Sequence, residues 1–295
     1  MFGAEILTRV RVSFRLVDVF TEVAFAGNQL CVVPEPPLGL TREQMLTITR
    51  EIGFSETTFV TALRDDGYDV RIFTPQEEIP FAGHPTLGTA FTLVNEGRVV
   101  SPLVQTSMAG EVPVEVDPGQ GTARMRQLPP EFGTPVQDRA AVARAAGLAD
   151  TDLIKELPIV PVSTGIAHLM VPVRDEDVLR RAERDGRGCA AVCEAADAES
   201  LYLFTVRGDG DVMARMFDRW TSIGEDPATG SAAGPLGAYL AAHRLAGMPG
   251  SLSVAQGEMI GRPSFLQVAV EHAAEHWRIL VGGGVRIVGE GSFEI

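Results

Sequence analysis

Cysteine is scarce in this chain. Three thiols, Cys31, Cys189 and Cys193, stand among 295 residues, an odd number that offers no disulfide framework. Cys189 and Cys193 have no cluster of histidine or cysteine beside them to complete a metal site, so buried free thiols are the expected reading and no metal is expected. Positive charge is also in short supply: 25 Lys and Arg against 39 Asp and Glu leave a formal net charge of -14. A surface for nucleic acid or an anionic membrane needs clustered cations, and this balance argues against both. It leaves room for a small anionic substrate held by local backbone amides. No uncharged run is long enough to span a bilayer. Met1 to Phe14 carries Glu5, Arg9 and Arg11 and lacks the apolar core of a signal peptide, which makes a cytoplasmic location the expectation. There is no glycine-rich dinucleotide fingerprint and no Walker-type loop, so no organic cofactor is expected. Short-period repeats and low-complexity tracts are missing too.

What is present is one plan used twice. A strand-like run, Tyr68 to Phe73, leads through a loop to Gly83-His84-Pro85-Thr86, where a small-residue helix opens and runs to Gly97. Far downstream, Met213 to Phe217 leads to Gly224-Glu225-Asp226-Pro227-Ala228-Thr229-Gly230-Ser231, where an Ala- and Gly-rich helix opens and runs to His243. A glycine-rich helix start offers free N–H groups and positive dipole potential to an anion. Two of them suggest two half-sites facing one anionic ligand.

The rest of the chain reads mostly as strands: Val10 to Leu16, Leu30 to Val33, a hairpin of Thr57 to Leu63 and Tyr68 to Thr74 around Asp65-Asp66-Gly67, Val112 to Val116 and Thr122 to Met125. After Leu128-Pro129-Pro130 come Ile159 to Val162, His168 to Val173, Leu201 to Val206, Val212 to Phe217, Leu252 to Val254, Leu266 to Val270, Trp277 to Val281 and Val285 to Val288. A capping box, Thr41-Arg42-Glu43-Gln44, starts a helix with Met45, Ile48 and Ile52 inward and Gly53 as its stop. An Ala-rich helix covers Asp138 to Ala146. Strands and helices do not alternate strictly, so an α+β fold is expected rather than a doubly wound parallel sheet. It should have two similar lobes, each with several strands wrapped on one apolar, small-residue helix, and a cleft between them. The lobes are expected at 1–127 and 128–282, with 283–295 returning to the first.

The candidate chemistry lies around the two helix starts. Glu56, between Phe54 and Phe59, is either an exposed loop carboxylate or a buried acid whose raised pKa suits proton transfer. His84 is either a helix cap or a ligand contact and proton relay, with Pro85 at the first helical position. Asp226 is either a helix-entry acid or a second carboxylate facing Glu56, the two titrating as a coupled pair. Ser231 is a cap, a donor to an anion, or both. Asn28 is a turn residue after Gly27 that touches ligand less readily, and Glu77 and Glu78 are expected in a solvated loop. His272-Ala273-Ala274-Glu275-His276 matches a zinc-protease pattern, but it falls in a short connection between strands and reads as chance. His84, Asp226 and Ser231 do not make a hydrolase triad, since Thr229-Gly230-Ser231-Ala232-Ala233 is not a nucleophile elbow.

These motifs resemble the PhzF family of phenazine-biosynthesis isomerases. The resemblance is carried by Phe25-Ala26-Gly27-Asn28, Ser55-Glu56-Thr57, the run from Arg71 to Ala90, Ser163-Thr164-Gly165, Glu225-Asp226 with Thr229 to Leu236, Gln256-Gly257, and Ile260 to Ser264. It implies the two-lobed fold of diaminopimelate epimerase, two pseudo-symmetric lobes that are each a β-barrel-like sheet around a central helix with the active site in the cleft between them. It also implies a cofactor-free isomerase, best known for acting on trans-2,3-dihydro-3-hydroxyanthranilate, and a homodimer. Glu56 would be the acid/base, with His84, Asp226 and Ser231 orienting substrate and assisting proton movement. Amides around Gly83, His84, Gly230 and Ser231, with Asn28 nearby, would bind its carboxylate. The related epimerases use two cysteines at the helix starts, where this chain has His84 and Asp226. It departs from the family at Gln29, where proline is common, and at Asp218-Arg219-Trp220, which could reshape the cleft and so alter the substrate. A serine hydrolase using Ser231, or a non-catalytic carboxylate-binding protein, are the alternatives from other classes.

Overall fold

The computed structural model describes residues 10–208, 210–219, 224–273 and 276–295; Trp220 and the Ala274-Glu275 part of the zinc-like pattern lie outside them. In chain order the first part holds β1 (Arg11–Val19), β2 (Asn28–Val33), α1 (Arg42–Ile52), β3 (Glu56–Arg64), β4 (Gly67–Phe73), β5 (Glu78–Ile79), α2 (Gly83–Asn95), β6 (Leu103–Ser107), β7 (Gly110–Asp117) and β8 (Thr122–Arg126). The second holds β9 (Glu131–Phe132), α3 (Arg139–Ala145), β10 (Val160–Ser163), β11 (Ala167–Pro172), α4 (Glu176–Arg181), α5 (Gly186–Ala196), β12 (Ser200–Val206), β13 (Val212–Asp218), β14 (Glu225–Asp226), α6 (Gly230–Ala242), β15 (Gly250–Gln256), β16 (Ser264–Ala273) and β17 (His276–Glu294).

Pairing closes the first lobe completely: β1 to β2, β3, β4, β6, β7, β8, β17 and back to β1. This eight-strand ring removes sheet edges and encloses α2. The second lobe runs β9, β10, β11, β12, β13, β15, β16, β17 around α6. The fold is α+β with two lobes, each wrapped on one helix. Both helices are apolar nearly all round and buried along almost their whole length, as helices inside a sheet must be. α1 lies outside, with Thr41 and Gln44 forming the reciprocal capping box and Gly53 ending it at φ 72°.

β17 joins the lobes. Its first residues pair with β16, Leu280–Gly284 pair with β8, and Val285–Glu294 pair with β1. The run Gly282-Gly283-Gly284 reads in sequence as a break between two strands, yet the strand is continuous. A Cβ on Gly284 would sit 2.5 Å from Thr21 O, and one on Gly283 would sit 2.9 Å from both Phe20 Cδ1 and Phe265 O. The glycines are there because the lobes press on the backbone. The sequence reading also missed β6, α4 and α5. The two helices cover β12 and β13 with a separate apolar layer that includes Val178, Leu179, Cys189 and Cys193, and all three cysteines are buried and free. Among the described residues no helix is long and apolar enough to cross a membrane.

Each lobe carries the same clamp ahead of its central helix. In the first, the Arg71 guanidinium grips Glu78 through Nε and Nη2, both at 2.7 Å, and lies 5.2 Å from the Phe73 ring centroid. In the second, Arg215 grips Glu225 at 2.9 and 2.7 Å and lies 4.8 Å from the Phe217 centroid. Each pair ties a long strand to the two-residue strand that delivers the chain to the helix start. Glu78 is therefore not the solvated loop residue expected from sequence: its side chain is 9% exposed, and Arg42 reaches it as well, at 3.0 Å. Glu77 is exposed. Arg215 also donates to the carbonyls of Leu179, Arg180 and Ala182 at the end of α4.

The two clamps should differ in cost when broken. Arg215 and Glu225 are 8% and 12% exposed, so Arg215→Met strands a buried carboxylate and should cost about 3–5 kcal/mol. Arg71→Met leaves Glu78 its second partner, Arg42, and should cost about 1 kcal/mol or less. Urea unfolding midpoints of the two variants test this; equal shifts would contradict it.

Candidate active site

The two central helices meet at their starts. α2 opens at Gly83 after Ala82, and α6 opens at Gly230 after Thr229; neither cap residue gives a side-chain hydrogen bond to the first turn. The leading N–H groups of both are thus unsatisfied by capping. A Cβ on Gly83 would lie 3.1 Å from Ser231 N and 3.2 Å from Gly230 C, so glycine is what lets the two positive dipole ends converge. His84 and Ser231 are each the second residue of their helix, and Pro85 is the third. The helix therefore starts earlier than the proline suggests, because Gly83 and His84 take up the turn.

Glu56 opens β3 beside this junction. Its Oε2 is 3.4 Å from His84 Nε2, and its side chain is 14% exposed. Oε2 is buried and, among the described residues, has no hydrogen-bond partner. Burial pushes the Glu56 carboxyl up to about 7, against a smaller lowering by the Ser55 side chain. His84 Nε2 is 3.2 Å from Gln29 O. A carbonyl only accepts, so Nε2 carries the hydrogen. Burial drives the His84 imidazolium down to about 4, opposed by the Asp226 charge and the Gln29 carbonyl. At neutral pH the pair is then a neutral imidazole N–H beside a half-titrated acid, not an ion pair.

Asp226 arrives on β14, paired with Met216. Burial raises its pKa to about 7; His84 lowers it, the Glu56 charge raises it, and hydrogen bonds from Thr229 and Asn28 lower it. Asn28 Nδ2 donates to Asp226 Oδ1 and to Ala228 O, both at 2.9 Å, and so bridges the lobes. Thr229 Oγ1 donates to Asp226 Oδ2 at 2.5 Å. Behind it, Gln256 Oε1 accepts from Tyr202 OH and from Thr229 N, while Gln256 Nε2 donates to Asp226 O and Thr229 Oγ1. Ser231 Oγ lies 3.0 Å from His168 Nε2.

Glu56, His84 and Asp226 are thus brought together, with Gly83, Gly230 and Ser231 forming the adjoining helix starts and Asn28 spanning the junction. Asn28 has both amide hydrogens engaged within the protein. Asp218 and Arg219 are tied elsewhere: Asp218 O accepts from Arg184 Nε, and Arg219 pairs with Glu199 at 2.9 Å. Sequence reasoning missed His168, Tyr202, Thr229 and Gln256 as members of the buried network. Gln256-Gly257 and Thr229 stood in quoted motifs, which was the available signal; His168 and Tyr202 looked like ordinary strand residues. Among the described residues no group of three His, Cys, Asp or Glu could hold a metal ion. A groove of ≈ 970 Å³ is lined by Phe20, Ser101, Glu115, Ser253 and Phe265 and by none of these residues, although Phe20 also packs against Gly230.

The family profile described as phenazine biosynthesis-like protein matches residues 17–291. A trans-2,3-dihydro-3-hydroxyanthranilate isomerase of Pseudomonas aeruginosa is 34% identical over 264 residues, covering 88% of this chain and 91% of its own. An uncharacterized isomerase of Deinococcus radiodurans is 34% identical over 285 residues, covering 93% and 92%. The crystal structure of a phenazine biosynthesis protein of the PhzF family from Bacillus anthracis superposes with a TM-score of 0.87 at 29% identity, covering 97% of this chain and all of that one.

The raised Glu56 pKa has a thermodynamic signature. A carboxyl near 4.5 in the unfolded chain and about 7 in the fold supports the fold fully below 4.5 and loses that support as pH rises through 7. Glu56→Gln mimics the protonated acid at every pH. Its melting temperature should match the parent at about pH 4 and exceed it at about pH 9 by the equivalent of roughly 3 kcal/mol. Parallel melting curves across that range would refute the buried-acid reading.

Proposed function

The chain belongs to the phenazine biosynthesis-like protein family and is an isomerase; from that premise we propose that it moves a proton between two carbons of a small unsaturated cyclic carboxylic acid, without a cofactor. The substrate is trans-2,3-dihydro-3-hydroxyanthranilate or a related acid of another secondary-metabolite pathway. One observation carries the reading: a buried acid, Glu56, holds an unpartnered oxygen 3.4 Å from a neutral imidazole N–H, beside two converged helix starts.

The chemistry follows from what each group can do. Removing hydrogen from carbon needs a base whose conjugate acid forms near working pH, and burial gives Glu56 that property. One carboxylate can collect the proton and return it to a second carbon within its reach. The substrate carboxylate needs fixed donors that do not compete as bases. The free amides of Gly83, His84, Gly230 and Ser231 meet that need, so the anion is held without a cation that would lower the Glu56 pKa. His84, whose Nε2–H is donated to Gln29 O, stands 3.4 Å from Glu56 and orients the substrate and assists proton movement. Lobes divided at 1–127 with 283–295, and 128–282, would close over the acid and keep water from exchanging the proton. We take the enzyme to work as a cytoplasmic homodimer.

Glu56→Gln should lower turnover by about 100- to 10,000-fold while leaving ligand affinity largely intact. Asp226→Asn and His84→Asn should lower it less completely. In the parent protein kcat/KM should rise with pH and level off above about 7, because the base acts as the carboxylate. Incubation with dihydro-hydroxyanthranilate and related acids in heavy water, followed by mass spectrometry and rate measurement, reads all of these. Parent-like turnover by Glu56→Gln removes Glu56 from its role.

A further inference from the structure

We propose that His168 is a positioning residue that makes the Ser231 hydroxyl a hydrogen-bond donor for the substrate carboxylate. The donor's target rests on the carboxylic-acid reading above; the hydrogen pattern itself does not. His168 lies in β11 and is 2% exposed. Its Nδ1 is 2.8 Å from Ser200 Oγ and its Nε2 is 3.0 Å from Ser231 Oγ.

The direction of both bonds is set by what Ser200 lacks. Ser200 is fully buried, and among the described residues its hydroxyl has His168 as its one hydrogen-bond partner. A hydroxyl oxygen tolerates an unused lone pair, but its hydrogen, shut off from water, needs an acceptor. Ser200 O–H therefore points at Nδ1. A neutral imidazole has a single N–H, so the hydrogen sits on Nε2 and is donated to Ser231 Oγ. Ser231's own hydrogen is then left for a partner outside this chain of bonds. The reverse tautomer would orphan the Ser200 hydrogen and turn Ser231 into an acceptor, which a carboxylate would repel. Burial separately drives the His168 imidazolium down to about 3, which keeps the ring neutral.

The two lobes thus share a device. His84 presents an Nε2–H beside one helix start, and His168 presents an Nε2–H to the residue at the matching position of the other. The same assignment separates Ser231 from a hydrolytic nucleophile, since an Nε2 that carries hydrogen has no lone pair to take the serine proton.

Nitrogen NMR of protein labelled with 15N-histidine, at neutral pH, tests the tautomer directly, with His168→Gln identifying the resonances. A pyridine-type Nδ1 and a pyrrole-type Nε2 are expected for His168; the reversed pattern, or an imidazolium, overturns the proposal. Calorimetric binding of anthranilate and of uncharged 2-aminobenzamide tests the target. His168→Leu and Ser231→Ala should each weaken anthranilate by about tenfold, the double variant no further, and 2-aminobenzamide should be unaffected. His168→Gln, whose amide can donate in place of Nε2–H, should restore most of the loss. Additive losses, or equal losses for both probes, overturn the role. If the parent protein binds neither probe, the carboxylic-acid reading and the donor's target fall together, while the spectrum still decides the tautomer.

Discussion

Two carboxylic acids are buried at one junction with no guanidinium or ammonium bonded to either among the described residues, and the site depends on that. A cation beside Glu56 would hold it ionised well below neutral pH and leave a weak base. With neutral donors only, burial sets the balance, and both Glu56 and Asp226 rise to about 7. Their charges also oppose one another, so the two titrate as one system. The attraction an anionic ligand needs comes instead from backbone: uncapped N–H groups at the starts of two long buried helices, which carry positive potential but no exchangeable acid.

Bringing two helix starts to one point is a packing problem, and the fold solves it by duplication. Each lobe sends a strand into a tight return, fixes the return with an Arg–Glu clamp under which a Phe ring lies, and releases the chain into a helix that the sheet then wraps. Arg71, Phe73 and Glu78 in one lobe correspond to Arg215, Phe217 and Glu225 in the other. Because each clamp is made by the first residue of a two-residue strand, Glu78 or Glu225, the positions after it are free to diverge. His84 and Ser231 occupy the same helical position with different chemistry, and Asp226 stands where the first lobe has Ile79. β17, serving both sheets, and the ion pair of Arg262 with Asp18 at 2.6 Å then fix how the lobes face each other.

How much of this could be read from residues alone follows from how local each signal is. The helix starts were legible because glycine, small residues and a preceding strand lie within a few positions. The strands showed through their apolar runs, and the α1 capping box and Gly53 stop were visible within a single turn. α4 and α5 were not legible: their inward residues are sparse, Gly186 and Gly188 weaken the helical reading, and their best marks are the caps Asp175 and Asp185, which accept from Val178 N and Arg187 N. Glu78 looked solvated because its partner Arg71 lies seven residues earlier on the neighbouring strand. His168 was invisible as a site residue for the same reason on a larger scale, since Ser231 is 63 positions away. Contacts made by tertiary closure leave no periodic trace.

Hydrogen counting separates the two acids where burial does not. Thr229 N can only donate, which fixes Gln256 Oε1 as the acceptor end of that amide; its Nε2 then donates to the Asp226 carbonyl and to Thr229 Oγ1. Thr229's own hydrogen has one place left, Asp226 Oδ2, and Asn28 fills Oδ1. Asp226 is an acceptor at both oxygens, a geometry that suits the carboxylate and resists rotation or protonation. Among the described residues Glu56 Oε2 has no donor. The two acids differ in their hydrogen-bond donors while burial raises both to about 7, and the pair titrates as one system. In the proposed reaction this difference suits Glu56 to carry the travelling proton and Asp226 to remain an acceptor.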